Sequence, residues 1–277
     1  MYVSQAETSR EEVGVGWRLP PDDGSHDCEG VAEMTNVNPK VATIKALLAK
    51  AEDPAASPEE AEAYFTRAAA LMAKYGIEQA MLAEARPETD ELTNRAFDIK
   101  GKYVPDRAAL LFSITHALGA QNVYWNLTDY DNGKRYRKVR VYAHQSTLDR
   151  IEMLFSTLQL QALNGMAKAR PMYGESVTAY RKSWMAGFSS TVRKRLAEAE
   201  ETALQEAQQQ TGGASTELVL VKREAAVERF FKQAHPKVKT APRRRLTGNG
   251  WRDGRAAGER ADIGGRQIGR TRKALAV

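Results

Sequence analysis

Apolar residues recur three and four positions apart through most of this chain and alternate singly in one central stretch. That pattern predicts helices around a small sheet. Residues 1–37 show no sustained period and are rich in Ser, Asp, Glu and Gly, the composition of a mobile arm. Asn38 and Pro39 then open a helix that sets Val41, Ile44, Leu47 and Leu48 on one face and ends near Asp53 and Pro54. Ser57, Pro58 and Glu60 supply an N-cap, a first-turn proline and a capping-box carboxylate. The helix they start turns Ala61, Phe65, Ala68, Ala69 and Met72 inward, and Gly76 has the place of a helix stop. A short third helix over 77–85 completes a helical unit at 38–86, and 86–90 reads as a linker.

The period changes to two at 96–100, where Ala96, Phe97, Asp98, Ile99 and Lys100 alternate as a strand. Pro105 and Asp106 open a helix bearing Leu111, Phe112, Thr115 and Leu118. Two β-rich segments, 122–131 and 134–142, flank Asn132 and Gly133, the pair favoured in a two-residue type I′ hairpin turn. Ser146, with Asp149 three residues on, caps a helix that carries Leu148, Ile151, Phe155 and Leu158 and runs to 168. Ser176 caps a long helix to 210, whose apolar stripe is Val177, Tyr180, Trp184, Phe188, Val192 and Leu196. Its last turns are polar and are expected to project into solvent. Gly212 and Gly213 end it, 218–221 reads as a short apolar strand, and Phe230 and Phe231 anchor one more helix. The expected fold is α+β and helix-rich, with a β-α-β-β-α module and its long helix at 95–231.

Charge changes this picture more than composition does. The 277 residues carry a formal net charge of +6, but residues 1–100 hold −9, 101–170 hold +5 and 211–277 hold +10. The last excess lies in a Gly- and Arg-rich tail at 232–277, with 13 basic and 3 acidic residues. An acidic front and a basic rear point to an anionic partner for the rear. The single cysteine, Cys28, rules out an intrachain disulfide framework and fits a reducing cytoplasm. No apolar run is long enough to span a bilayer, so a cytoplasmic chain without membrane contact is expected.

Three runs of residues carry a family resemblance: 44–53 (Ile-Lys-Ala-Leu-Leu-Ala-Lys-Ala-Glu-Asp), then Glu60-Ala61-Glu62-Ala63, then Leu71-Met72-Ala73-Lys74-Tyr75-Gly76-Ile77. Together they resemble the domain of unknown function (DUF) 2786, a family of bacteria and their phages. The rest is similar to the region that usually follows that domain, with a Gly187-Phe188 pair in a helix and a Gly-rich basic end. The resemblance implies a phage or mobile-element setting, hence a host cytoplasm, and brings no catalytic residue, cofactor or metal with it.

The residues themselves offer little conventional chemistry. His26, His116, His144 and His235 are scattered, and no zinc, EF-hand or Walker spacing occurs, so neither metal nor cofactor is expected. His116 and His144 are the pair a fold could unite for an uncatalogued enzymatic site. Gly254 and Gly258, four apart with Ala257 and Ala261 nearby, suit close docking of a helix against a partner surface. The best-supported chemistry is nucleic-acid contact. In the second hairpin strand Val139 and Val141 turn inward with Arg137, leaving Lys138 and Arg140 beside Tyr136 on the other face, opposite Tyr124, Trp125 and Tyr130. Cations neutralise phosphates and aromatic faces stack on bases. Lys138, Arg140, Arg243, Arg244 and Arg245 are therefore expected to hold DNA or RNA phosphates, and Tyr136 or Trp125 to stack. Alternatives are an enzyme in the α+β module, or an adaptor binding host or phage proteins.

Overall fold

The computed structural model describes residues 4–5, 58–86, 89–130, 133–211, 214–241 and 244–261, with helical backbone also at 43–44, 46–47 and 50. The expected inward side chains of Val41, Leu48, Ala61, Phe65 and Ala69 lie outside the described residues, as do Asn132, Arg243 and 262–277. Helix α1 spans Pro58–Ala85. Strand β2 (Leu92–Ile99), helix α2 (Val104–Ala117) and strands β3 (Gln121–Thr128) and β4 (Arg135–His144) follow. Then come α3 (Gln145–Lys168), α4 (Val177–Thr211), α5 (Ala214–Ala234) and α6 (Trp251–Arg260). The three long strands pair antiparallel with β4 in the centre, and two short strands, β1 (Ser4–Gln5) and β5 (Lys239–Thr240), continue the sheet beyond β3. The fold is α+β and helix-rich.

The alternation read from the sequence decides which sheet face carries the core. Val139 and Val141 of β4 share a face with Tyr124 of β3 and Phe97 of β2, and this face packs on α2 and α3. Phe112 meets Tyr124 at 5.6 Å between ring centroids, and Phe155 meets Phe97 edge-on at 6.0 Å. Behind α2 runs α4, with Tyr180, Trp184, Phe188, Val192 and Leu196 all buried and Trp184 stacked on Phe188. Val177, expected in the same stripe, is exposed because the stripe begins one turn later.

Several local expectations are corrected. Helix α1 continues through Gly76 and absorbs the expected third helix, burying Ala68, Met72, Ala73, Ile77, Ala80 and Ala83 at helical spacing. The last turns of α4 are covered rather than solvated: Ala203, with Leu204 and Ala207, packs on Ala73 and Ile77 of α1. No strand forms at 218–221, which is part of α5. Thr216, Val219, Val227 and Phe231 are buried at spacings near three and four, whereas Leu218 and Val221 face out. The hairpin closes through Asp129 N–H to Lys134 O and Gly133 N–H to Asp129 O, both 2.9 Å. The loop is thus four residues rather than two, with Gly133 at φ +65°. Ser146 is not the N-cap of α3. The helix begins one residue earlier, and Ser146 N–H donates instead to the carboxylate of Asp90.

Helix α6 docks on α4 at close range, which makes the partner surface expected for Gly254 and Gly258 the chain's own long helix. A Cβ on Gly254 would lie 2.7 Å from the carbonyl carbon of Trp184, and one on Gly258 would lie 2.7 Å from Thr191 Cβ. Arg195 donates to the carbonyls of Gly258 and Ala261 at the end of α6.

Candidate functional site

Register places the expected nucleic-acid residues. Lys138 lies between Trp125 of β3 and Asp98 of β2, Arg140 between Val123 and Ala96, and Tyr136 opposite Leu127. All sit on the face away from α2 and α3. Helix α5 covers one end of that face, where Phe230, Phe231 and His235 close on Tyr142, and Tyr142 Oη and His235 Nε2 are 2.7 Å apart. Along β2 the face is open, with Asn94, Ala96 and Asp98 exposed.

Cations and rings interleave on the open part. The Arg140 guanidinium stands 5.7 Å from the Trp125 ring centre, and Lys100 Nζ stands 5.0 Å from that of Tyr136. Lys138 Nζ is 3.8 Å from Asp98 Oδ1, an exposed pair of the kind that holds a side chain only loosely. Trp125 is half-buried, packed on Phe230 and Val238 with His235 at 5.8 Å, so only part of its indole is presented. Burial, and then the nearby Arg140, hold the His235 imidazole below its ordinary pKa.

Other expected residues lie elsewhere. Tyr124 points inward, its ring under the Arg137 guanidinium at 4.0 Å, and Tyr130 stands fully exposed in the loop. Arg244 donates at 2.9 Å to Asp106, whose carboxylate is buried in the first turn of α2, which ties this arginine to the fold. Arg245 is exposed.

A second site was not legible in the sequence. A cleft of about 340 Å³ opens where α1, the start of α3, α4 and α5 converge. Its wall includes Gly76 and Ile77 of α1, His144 and Arg150 at the β4–α3 junction, Glu200 and Glu201 of α4, and Arg223 and Glu224 of α5. One carboxylate organises the junction. Asp90 accepts from Ser146 N–H at 2.9 Å, Ser146 Oγ–H at 2.7 Å and Arg223 Nη2 at 2.5 Å. Placed at the N-terminus of α3, it also complements the helix dipole.

The Asp90 carbonyl fixes the tautomer of His144. His144 Nδ1 lies 3.0 Å from that oxygen, which can only accept, so Nδ1 carries the proton. Nε2 is then a lone-pair acceptor, buried and without a hydrogen-bond partner. Burial, with Arg223 adding to it, lowers the His144 pKa against the opposing Asp90 contacts, which keeps the ring neutral. Arg150 is 5% exposed and pairs through Nη2 with Glu200, while its Nε–H has no acceptor. His116, on the last turn of α2, is not part of this wall. Asp90, Arg150, Arg223 and Glu200 went unseen because their partners lie 50 to 133 residues away.

Among the described residues, no group of three or more His, Cys, Asp or Glu is placed to hold a metal ion. No helix there is long and apolar enough to cross a membrane. Residues 40–79 match the family model "Protein of unknown function (DUF2786)", a segment that includes Gly76 and Ile77 of the cleft wall. No curated protein and no solved structure matches the chain.

Proposed function

We propose that the open sheet face binds nucleic acid, single strands in preference to duplex. The observation that carries this reading is the register that groups Lys138, Arg140, Tyr136 and Trp125 on one uncovered face, with cations standing over rings. Lys138 and Arg140 take phosphates, while Tyr136 and the free edge of Trp125 stack on bases. Stacking suits unpaired bases, whose faces are accessible. Arg244, bound to Asp106, is left out of this role, and Arg245 remains an exposed cation beside the sheet's helices.

Fluorescence anisotropy with labelled single- and double-stranded DNA and RNA tests the proposal. Affinity falls with salt at a log–log slope of about −0.7 per phosphate contacted on a single strand. Lys138→Glu with Arg140→Glu reduces that slope by about one for each cation removed. Trp125→Ala weakens binding without changing the slope. Salt-independent binding, or binding untouched by the double charge reversal, refutes the assignment.

A further inference from the structure

The cleft at the β4–α3 junction is separate from the sheet face and carries its own chemistry. Two of its buried polar atoms lack partners, and they are opposite in kind. His144 Nε2 accepts and has no donor, and Arg150 Nε–H donates and has no acceptor. Leaving such atoms unmade costs about 1–3 kcal/mol each, so a ligand that supplies both partners gains what the free protein forgoes.

Charge narrows the ligand further. The two arginines of the wall are already engaged, Arg150 with Glu200 and Arg223 with Asp90. The carboxylates of Glu201, Glu217 and Glu224 also line the cleft, and the cations of the wall do not offset them. An anion is therefore disfavoured even though two guanidinium groups are present. Ile77, Leu118 and Leu220 supply apolar wall between the polar ends. The space holds a molecule of roughly ten heavy atoms, at the small end of ligand pockets.

We propose that this cleft binds a small net-cationic molecule bearing both ammonium groups and an oxygen acceptor, the chemical class of the basic amino acids. One ammonium N–H donates to His144 Nε2, and an oxygen accepts from Arg150 Nε–H. The alkyl chain lies along Ile77 and Leu220, and the second cationic group meets Glu201 and Glu224 at the mouth. Gly76 is part of the design, because its missing side chain is what lets the Arg150 guanidinium reach the wall.

Isothermal titration of the full-length protein with four probes tests this. L-lysine and L-arginine are expected to bind at least tenfold more tightly than L-norleucine, which lacks the second cation. 1,4-Diaminobutane, which lacks the oxygen, is expected to bind more weakly than L-lysine. Glu201→Gln with Glu224→Gln, both exposed and remote from the core, should weaken L-lysine at least fivefold while circular dichroism and melting temperature hold. His144→Ala should abolish L-lysine binding in a protein that keeps its nucleic-acid affinity. Absence of L-lysine and L-arginine binding at millimolar concentration overturns the proposal. So does a diamine or norleucine that binds as well as L-lysine, or affinity indifferent to the Glu201 and Glu224 changes.

Discussion

The Arg150 guanidinium occupies the space that a side chain on residue 76 would need: a Cβ on Gly76 would lie 2.9 Å from Arg150 Cζ and closer still to Nη1. Gly76 sits inside α1, where alanine would ordinarily be favoured by about 1 kcal/mol. Arg150 is almost fully buried and held by Glu200, so it cannot swing into solvent without giving up its pair. Gly76→Ala should therefore cost about 1–3 kcal/mol, the usual penalty for forced overpacking. In an Arg150→Ala background the same change should become neutral or stabilising. Urea denaturation of the four proteins in this double-mutant cycle checks the reversal of sign.

Asp90 links β2, α3 and α5 through one carboxylate, and its charge is what Arg223 requires. The Asp90 side chain is 1% exposed and that of Arg223 14%, so neither ion can be rehydrated in place. Asp90→Asn keeps an oxygen for Ser146 N–H but leaves Arg223 without an anion. The expected loss is about 3 kcal/mol, the low end for a buried pair broken on one side. Faster amide exchange in α5 than in α2 would locate the loss at this junction, and equal exchange would contradict it.

What the sequence disclosed and what it hid follow from the range of the interactions. Tyr180, Trp184, Phe188, Val192 and Leu196 repeat every four residues with large side chains, and the stripe they predict is buried in α4. Alternation along β4 likewise separated Val139 and Val141 from Lys138 and Arg140 before any pairing was known. The run Leu218, Val219, Leu220, Val221 misled because four apolar residues fit either period, and only neighbouring turns of α5 decide between them. Ala203 and Ala207 are weak signals on a polar helix, so the cover that α1 gives them was invisible. Gly76 read as a stop because a glycine's local meaning is a turn, whereas its role here is set by an arginine 74 residues later.

Helix α6 depends on glycine in a stricter way. At Gly254 the nearest atoms to an added Cβ belong to the Trp184 backbone, which is fixed by the hydrogen bonds of α4. Gly254→Ala should therefore lift α6 from α4, breaking the Tyr180–Asp253 hydrogen bond and both Arg195 contacts. The cost should be about 1–3 kcal/mol or more. Limited trypsin digestion should then cut at Arg252, Arg255 and Arg260 well before the rest of the fold, a pattern the parent protein resists. Gly258→Ala should be milder, since Thr191 Cβ and methyl are the main atoms in its way.

Acidification should weaken the fold through two histidines. His144 and His235 both have pKa values lowered from 6.5, chiefly by burial, with Arg223 adding to the effect at one and Arg140 at the other. The unfolded chain takes up protons at its ordinary value, while the folded chain resists until lower pH. Unfolding therefore binds protons in that interval, and stability falls as pH drops below about 6.5 and stops falling once the folded imidazoles have titrated. Above about pH 7 the two sites contribute no slope. Carboxylates with ordinary values titrate mainly below about pH 5, so a melting series from about pH 7.5 to about pH 5.5 isolates the histidines. His144→Gln with His235→Gln should lower the melting temperature at neutral pH and flatten the profile across that interval. A slope unchanged in the double variant would place the pH dependence in other groups.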